Sequence, residues 1–142
     1  MKGKYILVLV GCLFATSIWA VNEVDKKGRK QGEWIKKYDN GVVMYKGVFK
    51  DDMPTGEFKR FYENGTLHSV QNHKDNNLSD IVIYEQDGKT ISTKGSYIGK
   101  VKDGRWTYYI EGKISLEEQF ENGKLNGLSK VYTKKGELIE EI

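Results

Sequence analysis

Glycine recurs in this sequence on a step of 24 residues, and that recurrence limits the fold more than anything else in the chain. Gly32, Gly56, Gly104 and Gly127 are separated by 24, 48 and 23 residues, and Asp80 stands where the missing step falls. Two places after each marker come Trp34, Phe58, Val82, Trp106 and Ser129. Eight or nine places after it come Gly41, Gly65, Gly88, Gly112 and Gly136. Phe49, Tyr97 and Phe120 keep the same phase, with His73 filling the second copy. Columns that share one period mark tandem supersecondary units. Five copies are expected, starting near residues 32, 56, 80, 104 and 127.

Each unit reads as a hairpin. In the first copy an extended run from Gly32 through Trp34 and Tyr38 leads to Asn40-Gly41, a pair that tolerates positive φ and so suits a tight turn. The later copies place Asn64-Gly65, Asp87-Gly88, Glu111-Gly112 and Lys135-Gly136 there. A return strand such as Val42–Lys50 follows, and a second polar turn leads to the next marker, so the markers Gly32, Gly56, Gly104 and Gly127 are expected to be turn glycines, as are Gly41, Gly65, Gly88, Gly112 and Gly136. No long stretch after residue 20 keeps a 3.6-residue apolar spacing, so little helix is expected.

Side chains alternate between the faces of a strand. One face of each hairpin therefore gathers rings that it cannot bury alone. The expected ladder comprises Trp34, Tyr38, Tyr45, Phe49, Phe58, Tyr62, Tyr97, Trp106, Tyr108 and Phe120. Stacking hairpins in register would align these rings, which is why such units come in arrays. Gly47 and Gly95 fall mid-strand, where a missing side chain leaves room for a ring. The same ladder can be read as packing or as an aromatic groove for a peptide or sugar. The third copy departs from the pattern: residues 69–80 are polar and rich in Asn, and read as a degenerate turn or a specialised loop.

The first twenty residues stand apart. Lys2 and Lys4 precede an uncharged, mostly apolar run from Tyr5 to Ala20, and Val21-Asn22-Glu23 turns polar at once. This is the order of a secretory signal, with cleavage expected after Ala20 and a second fit after Ser17. Leu9-Val10-Gly11-Cys12 also resembles a lipobox, which would make Cys12 a lipidated N-terminus. An uncleaved anchor is the third reading. The division expected is a signal over 1–20, a lead-in over 21–31 and a repeat domain over 32–142.

Charge and chemistry exclude several classes. The chain has 23 basic and 20 acidic residues, and two of the basic ones, Lys2 and Lys4, lie in the leader. The remainder is nearly neutral with interspersed signs, so no nucleic-acid stripe is expected. Cys12 is the one cysteine and lies in the leader, so the mature chain has no thiolate ligand or disulfide. No phosphate loop, nucleophile elbow or zinc-binding His-Glu-x-x-His is present. His68 and His73 are five apart on strand and loop, which predicts opposite faces and no shared metal. Glu117-Glu118 and Glu140-Glu141 should likewise face apart. Asp51-Asp52 lacks the spacing of a calcium loop. No catalytic, metal or cofactor residue is expected.

Tyr45-Lys-Gly47-Val-Phe49 followed by Gly56-Glu-Phe58 resembles the MORN repeat, as does Gly95-Ser-Tyr97 followed by Gly104-Arg-Trp106. The Gly-x-Trp-x-Tyr-Tyr variant at Gly104 to Tyr109 is similar to the bacterial YwqK-type group, many members of which are labelled antitoxin-like. The opening from Val24 to Trp34 looks like exported members from Bacteroidetes. The resemblance covers about residues 28–142 and implies an all-β, elongated, twisted, single-layer antiparallel sheet. Together with the leader and the missing chemistry, it leads to the expectation of a non-enzymatic scaffold, periplasmic or extracellular, that binds a protein partner in an antitoxin-like or immunity-like role. The alternative is a structural protein that contacts lipid headgroups or cell-wall polymer.

Overall fold

The structure is a computed structural model that describes residues 21–141. The expected signal segment, its cleavage at Ala20 and the Cys12 alternative lie outside those residues. Every regular element among the described residues is a strand. The strands are β1 (Glu23–Val24), β2 (Lys30–Lys37), β3 (Val43–Lys50), β4 (Met53–Phe61), β5 (Leu67–His73) and β6 (Leu78–Tyr84). They continue as β7 (Ile91–Ile98), β8 (Val101–Ile110), β9 (Lys113–Glu121), β10 (Lys124–Leu125), β11 (Lys130–Tyr132) and β12 (Leu138–Glu141). They form one open antiparallel sheet in chain order, with β9 pairing β11 directly and the short β10 returning onto β9. No described helix is long and apolar enough to cross a membrane.

The turns explain the order. Tyr38 N–H donates to Val42 O and Gly41 N–H donates to Tyr38 O. The same pair of bonds recurs at Tyr62 with Thr66 and Gly65, at Glu85 with Thr90 and Gly88, and at Thr133 with Glu137 and Gly136. Asn40, Asn64 and Asp87 side chains accept backbone N–H groups two or three residues on, which locks each bend. The β3–β4 turn is tighter: Asp51 and Asp52 take φ of 53° and 66°. Two consecutive positive φ values match the twist of the flanking strands, as the shortest hairpin loops require.

The marker glycines do something the sequence reading missed. Gly32, Gly56 and Gly104 were read as turn residues, but they sit inside β2, β4 and β8 with φ between 62° and 72°. In the β3–β4 pair, Lys46 faces Lys59 and Val48 faces Thr55, so Gly47 stands alone opposite Gly56, Glu57 and Phe58. Gly95 stands in the same way opposite Gly104, Arg105 and Trp106. Gly56 and Gly104 therefore each make a bulge that swings the following ring over a mid-strand glycine, whereas Gly32 pairs regularly with Phe49. A Cβ on Gly47 would run into the Phe58 ring, and one on Gly95 would run into the Trp106 indole. These two rings are the deepest apolar side chains, 4% and 2% exposed.

The third copy is a correction. Residues 69–80 form no polar loop; they are the end of β5, a short turn and the start of β6. The β5–β6 ladder runs unbroken from Ser69 opposite Ile83 to His73 opposite Ser79. Asp80 replaces the marker glycine, so no bulge forms and the strands pair regularly. Backbone pairing with β4 and β7 on both sides outweighs the weak strand preference of Asn, Gln and Asp.

Candidate functional site

The expected ladder exists as two separate ring clusters on one face. Trp34 and Phe49 meet edge to face, Phe49 meets Phe58, and Tyr45 lies against Phe58. The second cluster joins Tyr97, Tyr108 and Phe120 around Trp106. Tyr38 and Tyr62, placed in the ladder by alternation, belong to neither cluster. They follow the strands and reach across to the next hairpin, where Tyr38 donates to Phe61 O at 2.8 Å and Tyr62 donates to Tyr84 O at 2.7 Å. The remaining glycines, Gly41, Gly65, Gly88, Gly112, Gly127 and Gly136, all take positive φ between strands.

Lysines cap both clusters. Lys30 Nζ lies 4.7 Å from the Trp34 ring centre and 4.9 Å from Phe49. Lys102 Nζ lies 4.4 Å from Trp106 and 4.7 Å from Phe120, and donates to the Tyr108 hydroxyl at 2.7 Å. Burial first, then Glu118, pushes the Tyr108 phenol far above its ordinary range, so the hydroxyl stays neutral.

Between the clusters the face turns polar. Where Gly47 and Gly95 make room for rings, the position midway between them in that column is Gln71. With no bulge and no ring, a trough of about 800 Å³ opens there. Its lining includes Arg60, Ser69, Gln71, His73, Ile81 and Tyr97, with His68 beside them. Arg60 donates to Gln71 Oε1 at 3.3 Å, and Gln71 Nε2 donates to Ser79 Oγ at 2.9 Å. The guanidinium also sits 4.8 Å from the Phe58 ring centre. Among the described residues, no carboxylate forms an ion pair with Arg60. Ser69 is only 1% exposed, and among the described residues its Oγ has no hydrogen-bond partner; neither has His73 Nε2.

The two histidines also correct the sequence reading. Odd spacing predicted opposite faces, yet both line this trough. The register slips between the Arg60–Ser69 and Phe61–Leu67 pairs, which leaves His68 unopposed and resets the alternation. His68 packs edge-on against Tyr62, with 4.7 Å between ring centres. Among the described residues no group of His, Cys, Asp or Glu is placed to hold a metal. A smaller hollow of about 190 Å³ lies between β9 and β11, where Glu117 accepts from the Tyr132 hydroxyl and faces Arg105 at 3.9 Å. Its charges already answer one another, so the trough is the better candidate site.

Comparison with protein families found one match: the profile of the MORN repeat variant fits residues 30–51 and 54–75. Those two segments are similar to the MORN repeat variant. No curated protein and no solved structure gave a match. The first MORN segment is the β2–β3 hairpin, and the second is β4–β5. Most of the trough's polar groups, Arg60, His68, Ser69, Gln71 and His73, belong to the second MORN segment. What departs from the repeat is β6, where Val82 stands in the ring column and Ile81 lines the trough.

The electrostatics of this second MORN segment follow from its burial. Burial, and then the Arg60 charge, holds His68 and His73 below their ordinary values. The unfolded chain, with histidines near ~6.5, then binds protons that the fold resists. Stability is full above that value and falls as pH drops through it. The melting temperature is therefore expected to decline from pH 7.5 to pH 5.5. A variant carrying His68→Gln and His73→Gln should show a flatter profile over the same window. An equal slope in both proteins would place the protonation elsewhere.

Proposed function

We propose that this chain is an exported, non-enzymatic repeat scaffold of five tandem hairpin copies, and that it binds a protein partner through the ring-bearing face of its sheet. The copies start near residues 32, 56, 80, 104 and 127. The observation that carries the reading is the trough between two ring clusters, lined by a half-buried arginine that pairs with no carboxylate among the described residues. Rigid aromatic groups beside an arginine are the residue types that anchor protein interfaces. Buried hydrogen-bonding groups with no partner favour an incoming polar group over bare solvent exclusion. Antitoxin-like or immunity-like binding is the role that the YwqK-type resemblance adds, and a lysine-rich rim gives the alternative of lipid headgroup or cell-wall contact.

The test begins with the chain purified from the envelope and medium of the cells that make it. Intact mass gives its N-terminus: a chain beginning after Ala20 supports export, a lipidated Cys12 moves the scaffold to a membrane surface, and retained residues 1–20 in cytosol overturn export. Reversible crosslinking then identifies bound protein, and calorimetry with the purified partner gives the stoichiometry. A reconstituted complex of fixed stoichiometry supports the reading. A chain that retains no protein and instead sediments with anionic vesicles overturns it in favour of surface association.

A further inference from the structure

The polar gap in the ring face is built as a seat for a negative group. Arg60 lies at its floor, spends one N–H on Gln71 and rests on Phe58, and the other donors of its fork meet no acidic side chain among the described residues. Lys30 and Lys102, by contrast, are occupied by rings and by the Tyr108 hydroxyl. A second and independent observation comes from the hydrogen bonds. Ser69, 1% exposed, and His73 line the same trough with polar atoms that no protein group satisfies. Leaving such groups unanswered is unfavourable, so they point to a ligand rather than to packing.

Charge and shape select the occupant. The lining carries Arg60, Lys74 and Lys100 against Asp52; Lys74 is paired with Asp80, and Asp52 accepts the Lys30 backbone N–H. Leu78, Ile81 and Tyr97 give the same trough apolar lining. The lining crosses β4 to β7, three strand spacings, which is about 14 Å. An extended run of about four residues covers that length. Because Arg60 is half-buried within the trough, a narrow side chain reaches it and a flat lipid surface does not.

We infer that the trough binds a short acidic segment of a partner protein in extended form, with a carboxylate forked on Arg60 and an adjacent apolar side chain against Ile81 and Tyr97. Planar carboxylates accept two parallel bonds from a guanidinium, which supplies both orientation and energy. Ser69 and His73 are the hydrogen-bonding groups nearest to hand for the rest of the segment. This inference rests on the protein-binding reading above and specifies its site.

The test is selection of a random-peptide phage library on the immobilised full chain, followed by calorimetry with the enriched peptides. Enriched sequences are expected to share Asp or Glu beside an apolar residue. Arg60→Gln should weaken them about tenfold or more, the loss typical of a hydrogen bond to a charged group. Arg60→Lys, which keeps charge without the fork, should recover only part of the affinity. If Arg60→Gln fails to fold, Ser69→Ala takes its place; it removes an unanswered polar atom, so it should melt no lower than the parent yet bind the peptides more weakly. Enriched peptides that lack acids, or that bind Arg60→Gln and Ser69→Ala as well as the parent, overturn the inference while leaving a protein-binding scaffold intact. Displacement of the peptides by inorganic phosphate at equal affinity, or anionic-vesicle binding that Arg60→Gln abolishes, overturns it in favour of a simple anion or headgroup site. Absence of any enrichment overturns it as well, and the crosslinking experiment then decides separately whether a protein partner exists.

Discussion

Replacing Trp106 with alanine is expected to lower the unfolding free energy by about 3–5 kcal/mol, the usual loss for a large ring removed from a packed core. The indole is 2% exposed and touches Tyr97, Tyr108 and Phe120, so its removal empties the centre of a cluster. Its Nε1–H also donates to Ser96 O at 3.1 Å, and that carbonyl would lose its partner. Lys102 would lose the ring it lies over. A small domain has roughly 5–15 kcal/mol in total, so the variant should sit near the edge of folding at 37 °C. Urea titration followed by tryptophan-independent circular dichroism measures this directly. A midpoint within error of the parent would mean that the second cluster is not the core it looks to be.

The second large effect comes from adding one carbon. Gly95→Ala places a Cβ inside the Trp106 ring, and the backbone on that side is held by β6. Overpacking of this kind costs about 3 kcal/mol when the neighbour cannot move. The informative protein is the double variant. In a chain that already carries Trp106→Ala, the added methyl has space, so Gly95→Ala should be nearly silent. The two losses are then far from additive, with a coupling of about 3 kcal/mol. Additive losses would show that Gly95 is needed for its backbone freedom rather than for the ring above it. Gly47 and Phe58 form the same arrangement at the β3–β4 junction, so the result should transfer there.

Much of this fold was open to reading from the columns. Glycines 24 apart, Asn-Gly and Asp-Gly bends and alternating rings point to hairpins in one sheet, and the all-β antiparallel sheet agrees. The failures cluster where one residue type breaks a column. Residues 69–80 were taken for a turn because they lack apolar alternation, yet a strand flanked by partners on both edges needs little propensity of its own. Tyr38 and Tyr62 fell out of the ladder because each sits one step beyond its strand, where alternation no longer applies. The two histidines share a face because a bulge changes the parity of the count. The bulge itself depends on register between strands, which a single sequence does not carry.

The candidate site shows the same logic. Arg60 occupies the column position held by Tyr108 four residues after its own marker, and Gln71 occupies the column of Gly47 and Gly95. Both substitutions were visible as departures from the period. Their meaning was not, because it depends on their lying side by side and on the absence of a ring above them. The strands that bring Arg60 opposite Ser69 and Phe58 opposite Gln71 supply that juxtaposition.

The order of strands in the sheet follows the order of the chain almost without exception. No hairpin waits for a distant stretch of polypeptide before it can find its neighbour. Each pairing closes a short loop, so the entropy spent at every step is small and the search is local. Assembly can begin at any bend and spread outward in both directions, as a zip does from its middle. The same property makes the two ends the first places to open.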